Sequence, residues 1–379
     1  MSKRASGEGS VRQRADGRWE ARLSYVDPAT GRRKSQSFYG PTAEAVRAKL
    51  DTARDRVKVE APLRDSTMRL ADWIEHWSET TLEASDRKES TKALYKALAR
   101  KHLVAAPFGD TRLDKLRKSD IEGLLVGLRK RGLSDSTRRQ VYTILRTVLA
   151  DAKLDNLIAD NAATRTPRPR VERTEARYLD AGQVTAVLNA AAGLRYHPVL
   201  VLIAATGLRR GEACALKWKH VNLDDGSLRV EGTLARVGGR LDITPPKSPR
   251  SRRTVPLSPA VVSMLKKHRT AQKEERLLAG EHWTDHGLVF CTEFGTPVEP
   301  RNILRTIETA AAKAGVEGVG VHTLRHSAAV ALLEAGVHIK AVADLLGHSS
   351  ISITGDIYGH SSDAATRAAI DGLSGTLGL

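Results

Sequence analysis

The sequence predicts a multidomain, mainly α protein with small β-sheets, and three observations carry that expectation. The chain has 379 residues, long for a single domain, and 41% of them are hydrophobic, enough to build more than one core. Strand signals are confined to residues 10–38 and to short stretches after residue 228, while apolar residues at helical spacing fill most of the rest. Two stretches break the pattern, residues 60–65 and the proline-rich residues 161–170.

In chain order, Ser10–Arg14 and Trp19–Tyr25 flank Asp16-Gly17, a strong hairpin dipeptide. A turn at Asp27–Gly31 leads into a third strand ending near Phe38, and Thr42 is placed to cap a helix running to about Val59. These elements make a first, α+β domain over residues 1–60. Residues 66–160 read as a helical domain of about four helices. Trp73 and Trp77 lie at i, i+4 and are expected to bury, and Ser119-Asp120-Ile121-Glu122 reads as a capping box opening a helix that Gly132 closes. Leu133-Ser134 begins another helix, with Val141, Ile144, Leu145 and Val148 on one face. Residues 161–175 are expected to form a linker. Residues 176–379 make a third domain, mainly helical, with strands at about 228–234, 241–245 and 253–257. A basic, proline-rich turn, Pro245–Arg253, separates the last two strands, and helices follow at about 258–279, 301–314, 323–335 and 339–346.

The formal net charge is +17 and is spread evenly: residues 1–60 carry +6, residues 61–175 carry +6 and residues 176–379 carry +5. A basic tail would load one segment. Positive charge in every segment points to a polyanion contacted along the whole chain, with binding that weakens steeply as salt rises. No run of about 18 apolar residues exists, so neither a membrane span nor a membrane partner is expected. The polar start, Met1–Ala5, lacks the apolar stretch of a secretory signal. Cys214 and Cys291 are expected to be reduced thiols of a cytoplasmic protein.

Three short strings carry the chemistry. Thr206-Gly207-Leu208-Arg209-Arg210-Gly211-Glu212 places Arg209 at the break between two helices, with Glu212 positioned to pair with it. His322-Thr323-Leu324-Arg325-His326 puts an imidazole and a guanidinium on one helix face. Leu346-Gly347-His348 is followed ten residues later by Tyr358. An arginine fork bonds two phosphate oxygens at once and keeps its charge, and a tyrosine hydroxyl can attack phosphorus if a neighbour helps it ionise. In this order, in a strongly basic chain, the strings read as a site that breaks and rejoins a nucleic-acid phosphodiester through Tyr358. His322 and His326 also have the i, i+4 spacing of metal ligands, but no third ligand stands at useful spacing, and no metal is expected.

These motifs resemble those of the tyrosine recombinase (phage integrase) family: an arginine in Thr-Gly-x-Arg-x-x-Glu, a lysine in a β-hairpin, His-x-x-Arg, Leu-Gly-His and a tyrosine. The chain supplies Arg209, Lys247, His322, Arg325, His348 and Tyr358 in that order. Residues 66–160 resemble the family's helical core-binding domain. Residues 1–60 resemble the three-stranded arm-binding module of mobile-element integrases, through Asp16-Gly17-Arg18-Trp19 and Arg32-Arg33-Lys34…Phe38.

The resemblance implies a catalytic domain of the tyrosine recombinase type and a site-specific DNA recombinase working through a 3′-phosphotyrosine. Arg209 and Arg325 would clamp the phosphate, Lys247 would protonate the leaving 5′ oxygen, His322 would assist proton transfer, and His348 would hydrogen-bond the phosphate. DNA contacts are expected from Arg12, Arg14, Arg32, Arg33, Lys34, Arg165, Arg168, Arg170, Arg250, Arg252 and Arg253. No cofactor is implied. Double-stranded DNA at core and arm attachment sites, a homotetramer on that DNA and an accessory directionality factor are the implied partners, in a bacterial cytoplasm. Gly355 stands where a bulkier apolar residue is expected. The alternatives are a dimer-resolving recombinase, which needs no arm-binding module, and an inactive DNA-binding regulator of the same fold.

Overall fold

The structure is a computed structural model that describes residues 9–26, 31–58, 63, 65–172, 177–237, 239–245, 251–348 and 355. It divides into two compact units, Met1–Arg173 and Thr174–Leu379.

The first unit opens with an antiparallel sheet, β1 (Ser10–Gln13), β2 (Trp19–Val26) and β3 (Arg33–Gly40). The β1–β2 register pairs Gln13 with Trp19 around Asp16-Gly17, where Gly17 takes the positive φ (+78°) that the turn requires. Alternation along β2 buries Ala21 and Leu23 against Val46, Leu50 and Ala53 of α1 (Ala43–Lys58). Thr42 caps that helix by accepting from the Ala45 amide (3.2 Å).

Five helices follow: α2 (Leu70–Glu79), α3 (Thr81–Ala84), α4 (Glu89–Ala99, continued by a π-turn over Arg100–Val104), α5 (Lys118–Lys130) and α6 (Asp135–Leu154). They share one core with Trp73, Trp77, Ile144, Leu145 and Val148 inside. Both indoles are satisfied, Trp73 Nε1 by Val148 O (2.9 Å) and Trp77 Nε1 by Asp151 Oδ2 (2.6 Å).

Two details differ from expectation. The cap of α5 is not at Ser119. Asp120 reaches back to the Arg117 amide (2.8 Å), which starts the helix earlier, and Glu122 pairs with Lys118 instead (3.3 Å). Nor do residues 161–166 behave as linker. Ala162, Ala163 and Thr166 are buried, and the Tyr142 hydroxyl bonds the carbonyls of Ala163 and Thr166 (both 2.9 Å). Two tethers from one buried phenol stitch the segment onto α6, so its prolines begin only where the packing ends.

The second unit contains α7 (Ala181–Ala190), α8 (His197–Thr206), α9 (Arg210–Cys214), α10 (Pro259–Ala279), α11 (Pro300–Lys313), α12 (Val321–Glu334) and α13 (Ile339–Leu346). Its strands are β4 (Val221–Asn222), β5 (Ser227–Val230), β6 (Thr233–Val237), β7 (Arg240–Thr244) and β8 (Arg253–Pro256). The strand expected over 228–234 splits. β5 joins a sheet ordered β4-β5-β8, while β6 forms a separate hairpin with β7. The break is at Glu231-Gly232, where a Cβ on Gly232 would stand 2.8 Å from Ile243 Cγ2. One core of leucine, isoleucine and valine side chains from α7, α8, α10, α11 and α12 backs these strands. Cys214 and Cys291 are buried free thiols, Cys214 inside this core, and burial pushes the Cys214 thiol up to about 12.

Candidate active site

The end of α8 sets the first anchor. Gly207 closes it in the left-handed region (φ +65°), and the next residues turn into α9 with Arg209 at the N-cap. Arg209 Nη1 donates to Glu212 Oε1 (2.8 Å), and its backbone amide donates to Glu212 Oε2 (3.0 Å). The Glu212 side chain is only 5% exposed, whereas that of Arg209 is 37% exposed. Glu212 therefore holds the arginine from below and leaves its outer edge to solvent.

The second anchor is the end of α13. A helix leaves its last carbonyls without intrahelical donors, and its C-terminus carries partial negative charge. Three consecutive carbonyls here are each taken by an arginine from a different element. Arg253 Nε of β8 donates to Leu345 O (2.5 Å), Arg325 Nη2 of α12 donates to Leu346 O (2.8 Å), and Arg209 Nη2 donates to Gly347 O (2.8 Å). Arg325 Nη1 also donates to Gly207 O, tying the two helix ends together. Gly347 itself is left-handed (φ +65°) and a Cβ there would lie 2.8 Å from Arg253 Nη1, so the close approach requires glycine. His348 follows at once, its amide bonded to Ala343 O (2.9 Å).

Electrostatics follow from this crowding. Burial alone would raise the Glu212 pKa. The hydrogen bond and charge of Arg253, with the bonds from Arg209, outweigh it and hold the carboxyl below its usual range. Burial, and then the charge of Arg209, lowers Arg325 to about 9, which leaves it cationic at neutral pH. His348 falls to about 4 through burial and then the charges of Arg325 and Arg209. His322 is lowered by partial burial, then by Arg210, Arg325 and Arg209, and His326 by burial, then by His322 and Arg325. The cluster therefore sets three arginines around one carboxylate, beside histidines that burial, and then the neighbouring positive charges, push toward the neutral form. Three guanidiniums against one carboxylate leave the site net positive, and the outer edge of Arg209 presents that charge to solvent, which suits an anionic partner.

The sequence profile of the phage integrase family matches residues 177–365, which include this cluster. The chain is 29% identical over 336 residues to a XerC-like tyrosine recombinase of Caldanaerobacter subterraneus, covering 84% of this chain and 85% of that one. It is 28% identical over 334 residues to an integrase of Saccharopolyspora erythraea, covering 74% and 76%. The chain belongs to the phage integrase family. Among solved structures, the integrase of transposon Tn1549, in complex with transposon right-end DNA, superposes with a TM-score of 0.66 at 19% identity, over 81% of this chain and 100% of that one.

Of the six residues this integrase was expected to use, Arg209, Arg325 and His348 meet at the end of α13, and His322 is coupled to the same arginines. Lys247 and Tyr358 lie outside the described residues, as do Arg250 and the C-terminal segment Ser361–Leu379. Gly355 is helical, and a Cβ there would meet nothing within 4 Å. Among the described residues no three His, Cys, Asp or Glu side chains gather in a way that could hold a metal.

One expectation is corrected. Arg253 is not a DNA contact. Its side chain is 7% exposed and its guanidinium is taken up by Glu212 (2.9 Å), Leu345 O and Ser251 O. In β8, alternation turns Arg253 inward, and a basic turn read as sequence does not show which arginine points in. The other described candidates are exposed. Arg12 pairs with Glu20, Arg14 lies over the Tyr39 ring (5.5 Å), Arg165 pairs with Asp160, and Arg252 lies 3.7 Å from Glu231. Arg32, Arg33, Lys34, Arg168 and Arg170 are exposed as well.

The turn at Gly207 supports a direct test. A Cβ there needs a disfavoured φ and would stand 2.3 Å from Leu346 Cδ2, beside the carbonyl that receives Arg325. Gly207→Ala is expected to destabilise the second unit by about 1–3 kcal/mol, and the check is hydrogen exchange of the α8 and α12 amides.

Proposed function

We propose that this integrase is a site-specific DNA recombinase that integrates and excises a phage or other mobile element through a 3′-phosphotyrosine at Tyr358. One observation carries the reading: Arg209, Arg325 and His348 converge at a single helix end, positively charged and only partly closed. The two arginines hold the non-bridging oxygens of the scissile phosphate and stabilise the charge that builds there. The Tyr358 oxygen bonds to phosphorus as the bond to the 5′ oxygen breaks. The phenolic proton passes toward His322, whose low pKa keeps the acceptor form available. Lys247 delivers a proton to the leaving 5′ oxygen, and neutral His348 keeps one ring N–H to donate to the phosphate. The ester conserves the bond energy, so a 5′-hydroxyl of the partner strand reverses each step.

In this reading the helical domain and residues 168–170 contribute further contacts to the core site, and the first three strands bind arm sites. Four protomers act together, and a small accessory protein sets direction inside the bacterial cell. The exposed cations on β3 favour an integrase over a dimer-resolving recombinase, which has no use for a separate basic module. Among the described residues no helix is long and apolar enough to cross a membrane.

The test begins by sequencing the junctions of the inserted element, which defines the attachment site. The full chain with that DNA should give a detergent-stable adduct whose free end is a 5′-hydroxyl. An adduct on the 5′ phosphate, or strand hydrolysis without an adduct, would overturn the mechanism.

A further inference from the structure

The strand that turns Arg253 toward Glu212 also has an outer face. Along β8, Val255 is buried while Thr254 is exposed, and Thr254 stands in register with the exposed Arg229 of β5. A groove of about 780 Å³ lies on this outer side, lined by Arg229, Thr254, Lys219 and the exposed residues Lys266, Arg269 and Lys273 of α10. The last three recur at spacings of three and four residues, which places them on one helix face.

Several observations mark the groove as built for an anion. Lys219, Lys266 and Lys273 pair with no carboxylate among the described residues, whereas Arg229 is paired with Glu231, and Asp224 is the one carboxylate on the lining. Arg269 is held in place with its guanidinium over the Trp218 ring at 5.2 Å, and Trp218 Nε1 is fixed by Gln272 Oε1 (2.6 Å). His220, also on the lining, is pushed toward its neutral form by burial and then by Lys219. Cations from Lys266 to Lys273 span about 10 Å of helix, which matches about three phosphates at ~3.4 Å of axis per phosphate on one strand.

We propose that this groove binds the phosphate backbone of duplex DNA away from the cleaved bond, a contact separate from the arginine cluster because the two occupy opposite faces of the same strand. The idea rests on the recombinase reading, and duplex DNA is chosen over an acidic protein because the cations follow one helix face over the length of about three phosphates. The site gives the catalytic unit a hold on flanking DNA, or on a second duplex, that does not depend on the attachment sequence.

The test compares two exposed pairs in the full-length chain, Lys266→Gln/Lys273→Gln in the groove and Lys267→Gln/Lys313→Gln elsewhere on the same unit. Binding to random-sequence duplexes of 60 and 20 base pairs is measured against salt. Two lost contacts should lower the salt slope by about 1.8, so that between 50 and 200 mM salt the wild type loses about 12-fold more affinity than the groove variant. The control pair should leave the slope unchanged, and Lys266→Arg/Lys273→Arg should restore it. A loss confined to the 60-base-pair duplex assigns flanking DNA. A loss seen with 20-base-pair duplexes bound two per protein assigns a second duplex. Equal losses in both pairs, no loss in either, or a groove effect on heparin alone would each overturn the proposal while leaving the recombinase reading standing. Failure of the wild type to bind any duplex would remove both.

Discussion

Tyr358→Phe is expected to abolish the covalent adduct and to lower recombination by at least about 10⁴-fold, with DNA binding changed by less than about twofold. The substitution removes one oxygen and keeps the ring, so the loss falls on chemistry rather than on folding or charge. Three of the other tyrosines offer poor replacements. Tyr142 is buried with its hydroxyl bonded to Ala163 O and Thr166 O. Burial raises the pKa of Tyr196, which disfavours the phenolate a nucleophile needs. Tyr39 faces Glu20 (3.4 Å) in the first sheet, a carboxylate that would repel a phosphate. Adduct formation is read on denaturing gels and recombination by junction amplification. An undiminished adduct in the variant would mean that the nucleophile is another residue and that the string Leu346-Gly347-His348…Tyr358 marks something else.

The parts of the site that were legible in the sequence are those set by local spacing. Arg209 and Glu212 at i, i+3 meet as expected because one helix start places both, and His322 and Arg325 share a face for the same reason. The turn dipeptide Asp16-Gly17 and the alternating strand after it were legible likewise. What could not be read is the row of carbonyls at Leu345, Leu346 and Gly347 that receives three arginines from positions up to 138 residues away. A carbonyl has no residue identity, so nothing in the letters marks it as a partner. The same blindness applies to Arg253. Its composition said phosphate contact, while strand alternation and the buried carboxylate of Glu212 made it a buried support. The groove on α10 was missed for a related reason, since its cations are ordinary surface residues until β5 and β8 are laid across from them.

Glu212→Gln is expected to cost about 3–5 kcal/mol in the second unit and to reduce strand cleavage together with it. The carboxylate is 5% exposed and serves two guanidiniums, and one of them, on Arg253, is itself 7% exposed. An amide keeps the shape but leaves the buried Arg253 charge uncompensated, and removing one partner of a buried pair costs more than removing both. The double variant Glu212→Gln/Arg253→Met should therefore recover much of the stability, whereas cleavage should stay low because Arg209 has lost its support from below. The pH dependence adds a second check. A carboxyl with a depressed folded pKa contributes stability that is fully present above its unfolded value, roughly 4.3, and is lost as pH falls through the lower folded value. The stability gap between wild type and Glu212→Gln should hold from neutral pH down to about pH 5 and shrink below pH 4. His348 titrates in both proteins over a window from about 4 to its ordinary value, so its effect largely cancels in the difference. Because the chain has two units, hydrogen exchange of amides in α8, α12 and α13 is the measurement, rather than one melting midpoint. A gap that persists unchanged to pH 3 would mean that packing rather than charge is what Glu212 supplies, and the arginines would then need another explanation for staying together.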